Sequence, residues 1–543
     1  MTTTLYRNGS VYSPADPFAT AMLVVDDTVG WVGSEEAADA HASGGHEVVD
    51  LDGALVTPAF VDAHAHVTET GLALTGVDLS TARSLADALA RVEDAARRAG
   101  GRPVLGHGWD ERGWPEGRPP TMSELDRASY GGSVYLSRVD VHSAVVSSAL
   151  AAATGLRDLD GWHGDGRVER DAHAAARDAT RSSLTPAQRT QLQRVALTAA
   201  AAAGIGVLHE MSAPHIGTVD DLRGLVRLST DEPLPEVVPY RGELVASADQ
   251  AEELVRAVDL PGDVRLRGLA GDLCVDGSIG SRTAALRSPY SDAPDTCGYR
   301  YLTVEQVRDH VVACTTAGLQ AGFHVIGDAS ADVVVQGLRL AAEVVGDAAM
   351  RRARHRLEHV EMLDDEGLAV LVRLGVHASV QPVFDAWWGG PDGLYAERLG
   401  AERAAGMNRF SDLASAGVPL ALGSDSPVTP FAPWEALRAC AYHHDPEQRI
   451  SVRAAFLAHT RGACRAAGQD GGGVLVPGSP ATLAVWSPSD LVVQAPDDRV
   501  QAWSTDPRSG TPGLPDLAPG VTPPRCLRTV VRGRVVHDEL SAP

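Results

Sequence analysis

Two histidines end a short motif that follows the first long apolar run of the sequence. The motif is Asp62-Ala63-His64-Ala65-His66, and residues 54–61 before it are predicted to form a strand. Residues at positions i and i+2 of a strand point to the same face, and neutral imidazole is the commonest metal ligand in proteins. The pair could therefore bind one metal ion. Taken alone, the motif favours solvated loop histidines by about two to one.

Three later residues reverse that balance, because each ends a further predicted strand. They are His324, His359 and Asp425. A buried core histidine is the alternative for the first two, and a turn residue is the alternative for the aspartate. Strand ends of this kind are where (β/α)₈ barrels place catalytic residues. Together the four features predict a metal site made of His64, His66, His324, His359 and Asp425.

Further motifs extend over nearly the whole chain. They are residues 108–110 (Gly-Trp-Asp), 136–142, 276–284, 324–328 and 423–427. With the predicted ligands, they resemble the amidohydrolase superfamily of metal-dependent hydrolases, in its YtcJ-like branch (amidohydrolase family 3), which includes enzymes of the N-substituted formamide deformylase type. The resemblance implies an enzyme that hydrolyses a non-peptide carbon–nitrogen bond of a small molecule through a metal-activated water.

The resemblance also implies roles for the matching residues. A divalent ion, most consistent with Zn²⁺ at a histidine-rich site with a carboxylate, would activate the water. Asp425 would take a proton from that water and pass it to the leaving amine, and His359 or His324 would stabilise the oxyanion. Three other functions stay open: a deaminase, an isomerase or lyase, and a degenerate barrel that binds a ligand without catalysis.

All 47 basic residues are arginines, so the chain has no lysine. Schiff-base chemistry on lysine is therefore excluded, and so is the carboxylated lysine that bridges two metals in many members of the superfamily. Asp272 stands at the bridging position, but its shorter side chain makes a simple replacement doubtful. Glu210, at the end of a predicted strand, could ligate, bridge or orient a histidine. We expect one tightly bound divalent metal per chain.

Trp109, Asp110 and Arg282 lie in the matching motifs and are candidates for substrate contact. Each has a structural alternative. The tryptophan could pack inside a lid, and the two charged residues could form structural ion pairs.

Composition limits the classes of partner. The net charge is −24 and no basic cluster offsets it, which argues against nucleic acid and anionic membranes. The six cysteines include no C-x-x-C pair, so reduced thiols in the cytoplasm are the expectation. The N-terminus has no signal-peptide pattern and no apolar run is long enough to span a membrane. A homodimer is left open.

Alternating strands and helices predict an α/β fold, a (β/α)₈ TIM barrel over residues 58–474. Counted back from Asp425, the strands are 420–423, 376–380, 355–359, 319–324, 269–275, 236–240, 205–209 and 59–61. This count requires an insertion at about 70–190 after the first strand, and the amidohydrolase resemblance implies that it forms a lid over the site. Capping residues predict helices after Ser84, Thr185 and Thr303. Short strands are predicted at both chain ends, 1–57 and 475–543, and the resemblance implies that they pair into one composite β-sandwich domain.

Overall fold

The computed structural model describes residues 2–41, 47–182, 184–494, 503–504 and 511–540. At its centre, eight strands form one parallel sheet in chain order. In that order they are Phe60–Ala65, Ile205–Ser212, Glu236–Arg241, Gly268–Leu269, Gln320–Val325, Arg356–His359, His377–Val380 and Leu420–Leu422. Ala65 pairs with Ser426 just beyond the eighth strand, so the sheet is nearly closed. The predicted TIM barrel is confirmed, with all eight strands in the expected places.

The fourth barrel strand differs from its prediction. The sequence predicts residues 269–275, whereas the structure has only Gly268–Leu269. Gly271 adopts a φ of 88°, a left-handed conformation that glycine tolerates and that interrupts an extended strand. The chain returns to the sheet at Cys274, which bridges His324.

Helices follow the barrel strands along the chain. They include Val67–Thr75, Pro186–Ala202, Val219–Asp231, Ala248–Val258, Val304–Thr316, Asp328–Val345, Asp347–Ala353, Asp365–Leu374, Phe410–Ala416, Pro433–Ala441, Val452–Leu457 and Ala463–Ala466. Three more, Pro382–Trp388, Leu394–Leu399 and Ala401–Ala405, follow the seventh strand and contribute to an apolar cluster of their own. Thr185 and Thr303 each form a reciprocal capping box with a glutamine three residues later. These boxes satisfy backbone donors at the first turn, and the helix starts predicted from them are confirmed.

The insertion after the first strand folds into a sheet with helices. Its strands, in sheet order, are Arg167–Glu169, Ser143–Val146, Val134–Arg138, Val104–Trp109 and Val77–Asp78. Its helices are Leu85–Ala99, Met122–Ala128, Ser148–Thr154 and Arg170–Ser182. The first of these helices is the one predicted after Ser84, whose side chain caps it. We call residues 77–182 the lid.

Strands from the two ends of the chain meet in one sheet. In order, that sheet contains Ser10–Val11, Leu55–Pro58, Leu483–Trp486, Cys526–Val531 and Arg534–Asp538. A second sheet contains Thr28–Gly33, Ala21–Val25, Thr3–Arg7 and Glu47–Asp50. Buried side chains of both sheets, such as Met22 and Leu483, belong to one apolar cluster. Among the described residues, no helix is long and apolar enough to cross a membrane.

Candidate metal and active site

The histidine pair and two aspartates converge at the carboxyl ends of the barrel strands. His64 Nε2 lies 3.4 Å from Asp272 Oδ1 and 3.4 Å from Asp425 Oδ1. His66 Nε2 lies 3.2 Å from Asp272 Oδ2 and 3.1 Å from Asp425 Oδ1. All four residues are buried. This spacing suits donor atoms that share one cation.

The other two predicted histidines lie beside this group. The ring centre of His359 is 5.0 Å from that of His64 and 4.4 Å from that of His324. Two sets of possible ligands have donor atoms within 4.8 Å of one another: His64, Asp272 and His359, and His64, His66 and Asp425. Because His64 is common to both sets, they describe overlapping parts of one site.

A buried ion pair fixes the tautomer of His64. Its Nδ1 lies 2.9 Å from Glu358 Oε2, and Glu358 is held in turn by Arg356. Burial opposes ionisation of Glu358, but Arg356 and His64 outweigh it and lower its pKa to about 2. An ionised carboxylate can only accept a hydrogen bond, so Nδ1 carries the proton. The lone pair of Nε2 therefore faces Asp272 and Asp425.

Hydrogen bonds orient His324 and His359 in the same way. His324 Nε2 lies 3.3 Å from the carbonyl oxygen of Gly277, so it donates, and Nδ1 faces Asp272 at 3.7 Å. His359 Nδ1 lies 2.8 Å from Gln381 Oε1. Burial, reinforced by His324, lowers the pKa of His359 to about 3. His359 is then neutral, and its Nε2 offers a lone pair to the site.

Several donor atoms of the site have no hydrogen-bond partner. They are His64 Nε2, His359 Nε2 and Asp272 Oδ1, all buried. Buried polar atoms are normally satisfied, and lone pairs that face carboxylates repel one another unless a cation lies between them. The donor set of imidazole nitrogens and carboxylate oxygens fits a divalent metal such as Zn²⁺.

The two aspartates also give the site negative charge. Burial opposes the charged form of His66, but Asp272 and Asp425 outweigh it and raise its pKa to about 10. Burial likewise opposes charge on His64, and Asp425 and Asp272 again raise its pKa well above the usual value. The site therefore favours positive charge, which protons on the imidazoles or a bound metal ion can supply.

Unusual backbone conformations place the ligands past the strand ends. His359 and Asp425 have φ values of 71° and 55°, a region that costs non-glycine residues energy and that clusters at functional sites. Asp62 joins the two edges of the barrel, since its Oδ1 accepts from the N–H groups of His64 and Ser424 at 3.2 and 2.9 Å. The barrel closure thus positions the first and last ligands together.

Asp272 lies beyond the end of the fourth strand and beside the histidine pair. The strand ends at Leu269, Gly271 adopts a left-handed conformation, and the Asp272 carboxylate lies 3.4 Å from His64 and 3.2 Å from His66. The doubt that its shorter side chain simply replaces a bridging carboxylated lysine stays a prediction. A Cβ on Gly242 would lie only 2.7 Å from the carbonyl carbon of Asp272, so the neighbouring backbone packs closely against this turn.

Glu210 has a different environment. Its Oε2 accepts a hydrogen bond from the N–H of Val67, the first residue of the helix after the histidine pair, at 2.8 Å. Burial raises its pKa to about 7. It belongs to neither of the two ligand sets within the described residues. This placement favours the alternative raised from the sequence, in which Glu210 orients the chain around His66.

A cavity of about 340 Å³ opens from the ligand group toward the lid. The barrel contributes His66, His324, Asp272 and Asp425 to its wall. The lid contributes Val141, His142, Arg170, His173 and Arg177. The insertion therefore forms one wall of the cavity that holds the candidate metal site.

The three residues proposed for substrate contact do not line this cavity. Trp109 is 1% exposed, packs in the apolar core of the lid and donates its Nε1–H to Leu136 O at 2.9 Å. Asp110 forms an ion pair with Arg112 at 2.6 Å, and Arg282 forms one with Asp292 at 2.5 Å. The structure therefore places all three in the packing and ion-pair environments that were the alternatives to substrate contact.

The lid is fastened to the barrel through a buried polar group. Asp140 Oδ2 accepts from Ser278 Oγ at 3.0 Å and from Ser281 Oγ at 2.7 Å, and it pairs with Arg138. A Cβ on Gly280 would lie 2.6 Å from Asp140 Oδ2, so only glycine fits there without a shift. This connection accounts for two of the motifs that the sequence singled out, 136–142 and 276–284.

Some residues of the site were missed from the sequence. His173 and Arg177 lie four positions apart on the helix Arg170–Ser182, a spacing that puts them on one helical face and that could have marked them. Arg356 and Glu358 alternate on one strand and so share a face. His142 and His215 also line the cavity, but nothing in their local sequence separates them from structural histidines.

Comparison with known proteins decides the family. The model of the amidohydrolase family matches residues 47–537. The chain belongs to this family. It is 28% identical over 526 residues to Protein LONG AFTER FAR-RED 3 of Arabidopsis thaliana, with 89% of this chain and 87% of that protein covered. It is 26% identical over 453 residues to the putative amidohydrolase YtcJ of Bacillus subtilis (strain 168), with 79% and 82% covered.

Two further comparisons are with hydrolases. N-substituted formamide deformylase of Arthrobacter pascens is 22% identical over 489 residues, with 83% of this chain and 86% of that protein covered. An uncharacterized metal-dependent hydrolase from Pyrococcus furiosus has a crystal structure that superposes with a TM-score of 0.70 at 27% identity. That alignment covers 89% of this chain and 98% of the other. These matches confirm the resemblance inferred from the motifs.

Proposed function

We propose that this amidohydrolase is a metal-dependent hydrolase of a non-peptide carbon–nitrogen bond. The observation that carries the proposal is the orientation of three histidines. Glu358, Gly277 O and Gln381 hold the outer nitrogens of His64, His324 and His359, so their free lone pairs converge near Asp272. A divalent cation would bind these nitrogens and the carboxylates together, in place of the protons that the carboxylates otherwise favour on His64 and His66. The named relatives support the choice of hydrolysis.

His64, His66, His359, Asp272 and Asp425 would hold the ion, with His324 beside them. When bound, a divalent metal lowers the pKa of a coordinated water toward neutrality and polarises a carbonyl oxygen. We favour one Zn²⁺ per chain, because the two ligand sets share His64 and the donors are mainly nitrogen.

The surrounding residues account for the proton transfers. Asp425, which lines the cavity, would accept a proton from the attacking water and deliver it to the leaving amine. The overall reaction is R–CO–NH–R′ + H₂O → R–COOH + H₂N–R′. His359 is better suited to ligate than to stabilise the oxyanion, because its Nδ1–H donates to Gln381 Oε1 and its Nε2 keeps a lone pair.

A second, smaller cavity favours a small acyl group. It has a volume of about 30 Å³ and is lined by His324, His359, Asp425, Phe384 and Val428, among others. Such a space holds about one or two waters. The carbonyl substituent on that side would be hydrogen or a short chain, and the amine portion would occupy the cavity of about 340 Å³. We therefore propose N-formyl amines as the first class to test.

The test is a hydrolysis assay in H₂¹⁸O with N-formyl, N-acetyl and cyclic imide compounds. We expect ¹⁸O in the released acid, loss of turnover after chelation and recovery with Zn²⁺. His64→Asn should remove turnover, whereas His444→Asn, at a half-exposed position outside the cavity, should retain it. Product without ¹⁸O, or turnover that survives both chelation and His64→Asn, would contradict the proposal. Release of ammonia rather than an amine would indicate a deaminase.

A further inference from the structure

One arginine in the lid wall of the larger cavity has no counter-ion. Arg177 lines that cavity, and its Nε is buried without a hydrogen-bond partner. Within the described residues, no carboxylate forms an ion pair with it. The residue as a whole is half-buried, and Glu69 acts on it electrostatically without forming an ion pair with it. A charge that is partly withdrawn from water without an ion-pair partner is costly, and arginine cannot lose its charge in a protein. A ligand that brings a negative charge would remove this cost.

The other arginines nearby are already neutralised. Arg170, on the same helix and in the same cavity wall, pairs with Asp160 at 2.6 Å and stacks over Tyr299. Arg181, one turn beyond Arg177, pairs with Glu69 at 2.6 Å. Each of the three has one buried guanidinium nitrogen without a hydrogen-bond partner, but within the described residues Arg177 is the one of the three without an ion pair.

The histidines next to Arg177 provide hydrogen bonds rather than charge. Burial, reinforced by Arg177, lowers the pKa of His215 to about 3 and that of His173 well below its usual value, so both are neutral at physiological pH. Glu69 and Asp171 also line the cavity, and Glu69 is already paired with Arg181. Within the described residues, Arg177 is the arginine of this wall that has no ion pair.

We propose that Arg177 binds a carboxylate on the amine portion of the substrate, so that the substrate class is N-acyl compounds bearing a carboxylate. The hydrolysis in this inference rests on the proposed function, whereas the anion site at Arg177 does not depend on it. The planar guanidinium presents two parallel N–H donors that match a carboxylate. A single unpaired charge suits a monoanion better than a dianionic phosphate. Because the chain carries a net charge of −24, attraction of an anion must come from a local cation of this kind.

The first experiment measures binding without hydrolysis. Zinc-loaded protein is titrated calorimetrically with 3-phenylpropanoate and with the uncharged 3-phenylpropan-1-ol. Arg177→Gln should weaken binding of the carboxylate about 10- to 100-fold, as expected for a charged hydrogen bond, and leave the alcohol unchanged. Arg170→Gln is the matched control and should change carboxylate binding less than about twofold. Circular dichroism confirms that both variants are folded.

The outcomes separate the possible anion sites. If carboxylate binding is the same in the wild type and Arg177→Gln, the carboxylate binds elsewhere, at the metal for example, and the proposal is overturned. The same holds if Arg170→Gln loses binding and Arg177→Gln does not. Tighter binding of phenylphosphonate than of the carboxylate in the wild type would overturn the choice of a monoanion.

The second experiment measures turnover of a matched substrate pair. N-formylphenylalanine and N-formyl-2-phenylethylamine differ only in the carboxylate. We expect Arg177→Gln to raise KM about 10- to 100-fold for the first and to leave the second unchanged. If carboxylate binding depends on Arg177 but neither compound is hydrolysed, the proposed function fails and the anion site stands. If both compounds are hydrolysed and Arg177→Gln affects them equally, the anion site fails and the function stands.

Discussion

The two walls of the larger cavity have opposite electrostatic character. On the barrel wall, Asp272 and Asp425 face imidazole lone pairs, so this wall attracts cations. On the lid wall, Arg177 has no ion pair within the described residues, and our proposal is that this wall binds an anion. The difference teaches how one cavity could orient a substrate, with a carbonyl at the metal side and a carboxylate at the lid side.

The two walls also differ in how they are built. The ligands of the barrel wall stand at strand ends that are joined by backbone hydrogen bonds, such as that from the N–H of Asp425 to His64 O at 2.8 Å. Most of the lid wall is presented by one helix, Arg170–Ser182, to which Val141 and His142 add the turn before the strand Ser143–Val146. The barrel wall should therefore tolerate changes in the lid, and selective changes to either wall test this independence.

The largest effect is expected inside the lid. Trp109→Ala removes a side chain that is 1% exposed and should cost about 3–5 kcal/mol in unfolding free energy of the lid, as for other buried aromatics. Metal content should not change, because the ligands lie on the barrel. Chemical denaturation with metal analysis checks both. Trp387→Ala, at a position 47% exposed, is the control and should cost under about 0.5 kcal/mol.

The opposite result would indicate that Trp109 contacts the substrate. An unchanged stability, with a KM that rises more for bulky substrates than for small ones, would mean that its ring contacts the ligand. The contact between the Trp109 Nε1–H and Leu136 O would then have to break during turnover.

A smaller effect, on metal affinity, is expected at Glu358, which orients His64 from inside the barrel. Glu358→Gln weakens the acceptor that orients His64 and should lower metal affinity about 10- to 100-fold, without altering carboxylate binding at Arg177. Glu210→Gln is the matched control, since Glu210 is equally buried but lies outside the ligand sets. Competition with a metal-binding dye measures both affinities. If Glu210→Gln loses metal and Glu358→Gln does not, the assignment of the orienting carboxylate is wrong.

The smallest effect is expected where the two walls are joined. Gly280→Ala places a Cβ against Asp140 and Arg138 and should cost about 1–3 kcal/mol through overpacking. It should raise KM more than it lowers kcat, because it shifts the lid and leaves the metal ligands in place. Gly113→Ala, also near the lid surface but with open space around it, should change neither the stability nor the KM. A fall in kcat at constant KM would show that this junction supports the chemistry directly.

The sequence predicts the barrel wall better than the lid wall, for a physical reason. Each barrel ligand follows an apolar strand, so strand prediction and residue type together locate His64, His324, His359 and Asp425. The reach of Asp272 depends on a turn at Gly271 that shortens the strand, and strand periodicity does not reveal such a turn.

The lid wall depends on tertiary contacts instead. Trp109 sits in a motif that suggests function, yet its side chain turns into the core of the lid. Arg177 resembles any solvated arginine of an Ala-rich helix, because only the folded structure shows which arginines find a carboxylate. The ion pairs of Arg170 and Arg181 join residues 10 and 112 positions apart in the sequence, and residue type alone does not assign such partners.

The most direct test of the central claim is the metal content of the purified protein. Elemental analysis should give about one divalent metal per chain for the wild type and close to none for folded His64→Asn. Reconstitution of the metal-free protein should not depend on bicarbonate, because the chain has no lysine to carboxylate. A stable two metals per chain would contradict the single site and indicate a bridging carboxylate, with Asp272 the first to test. An active wild type without metal would contradict the account altogether.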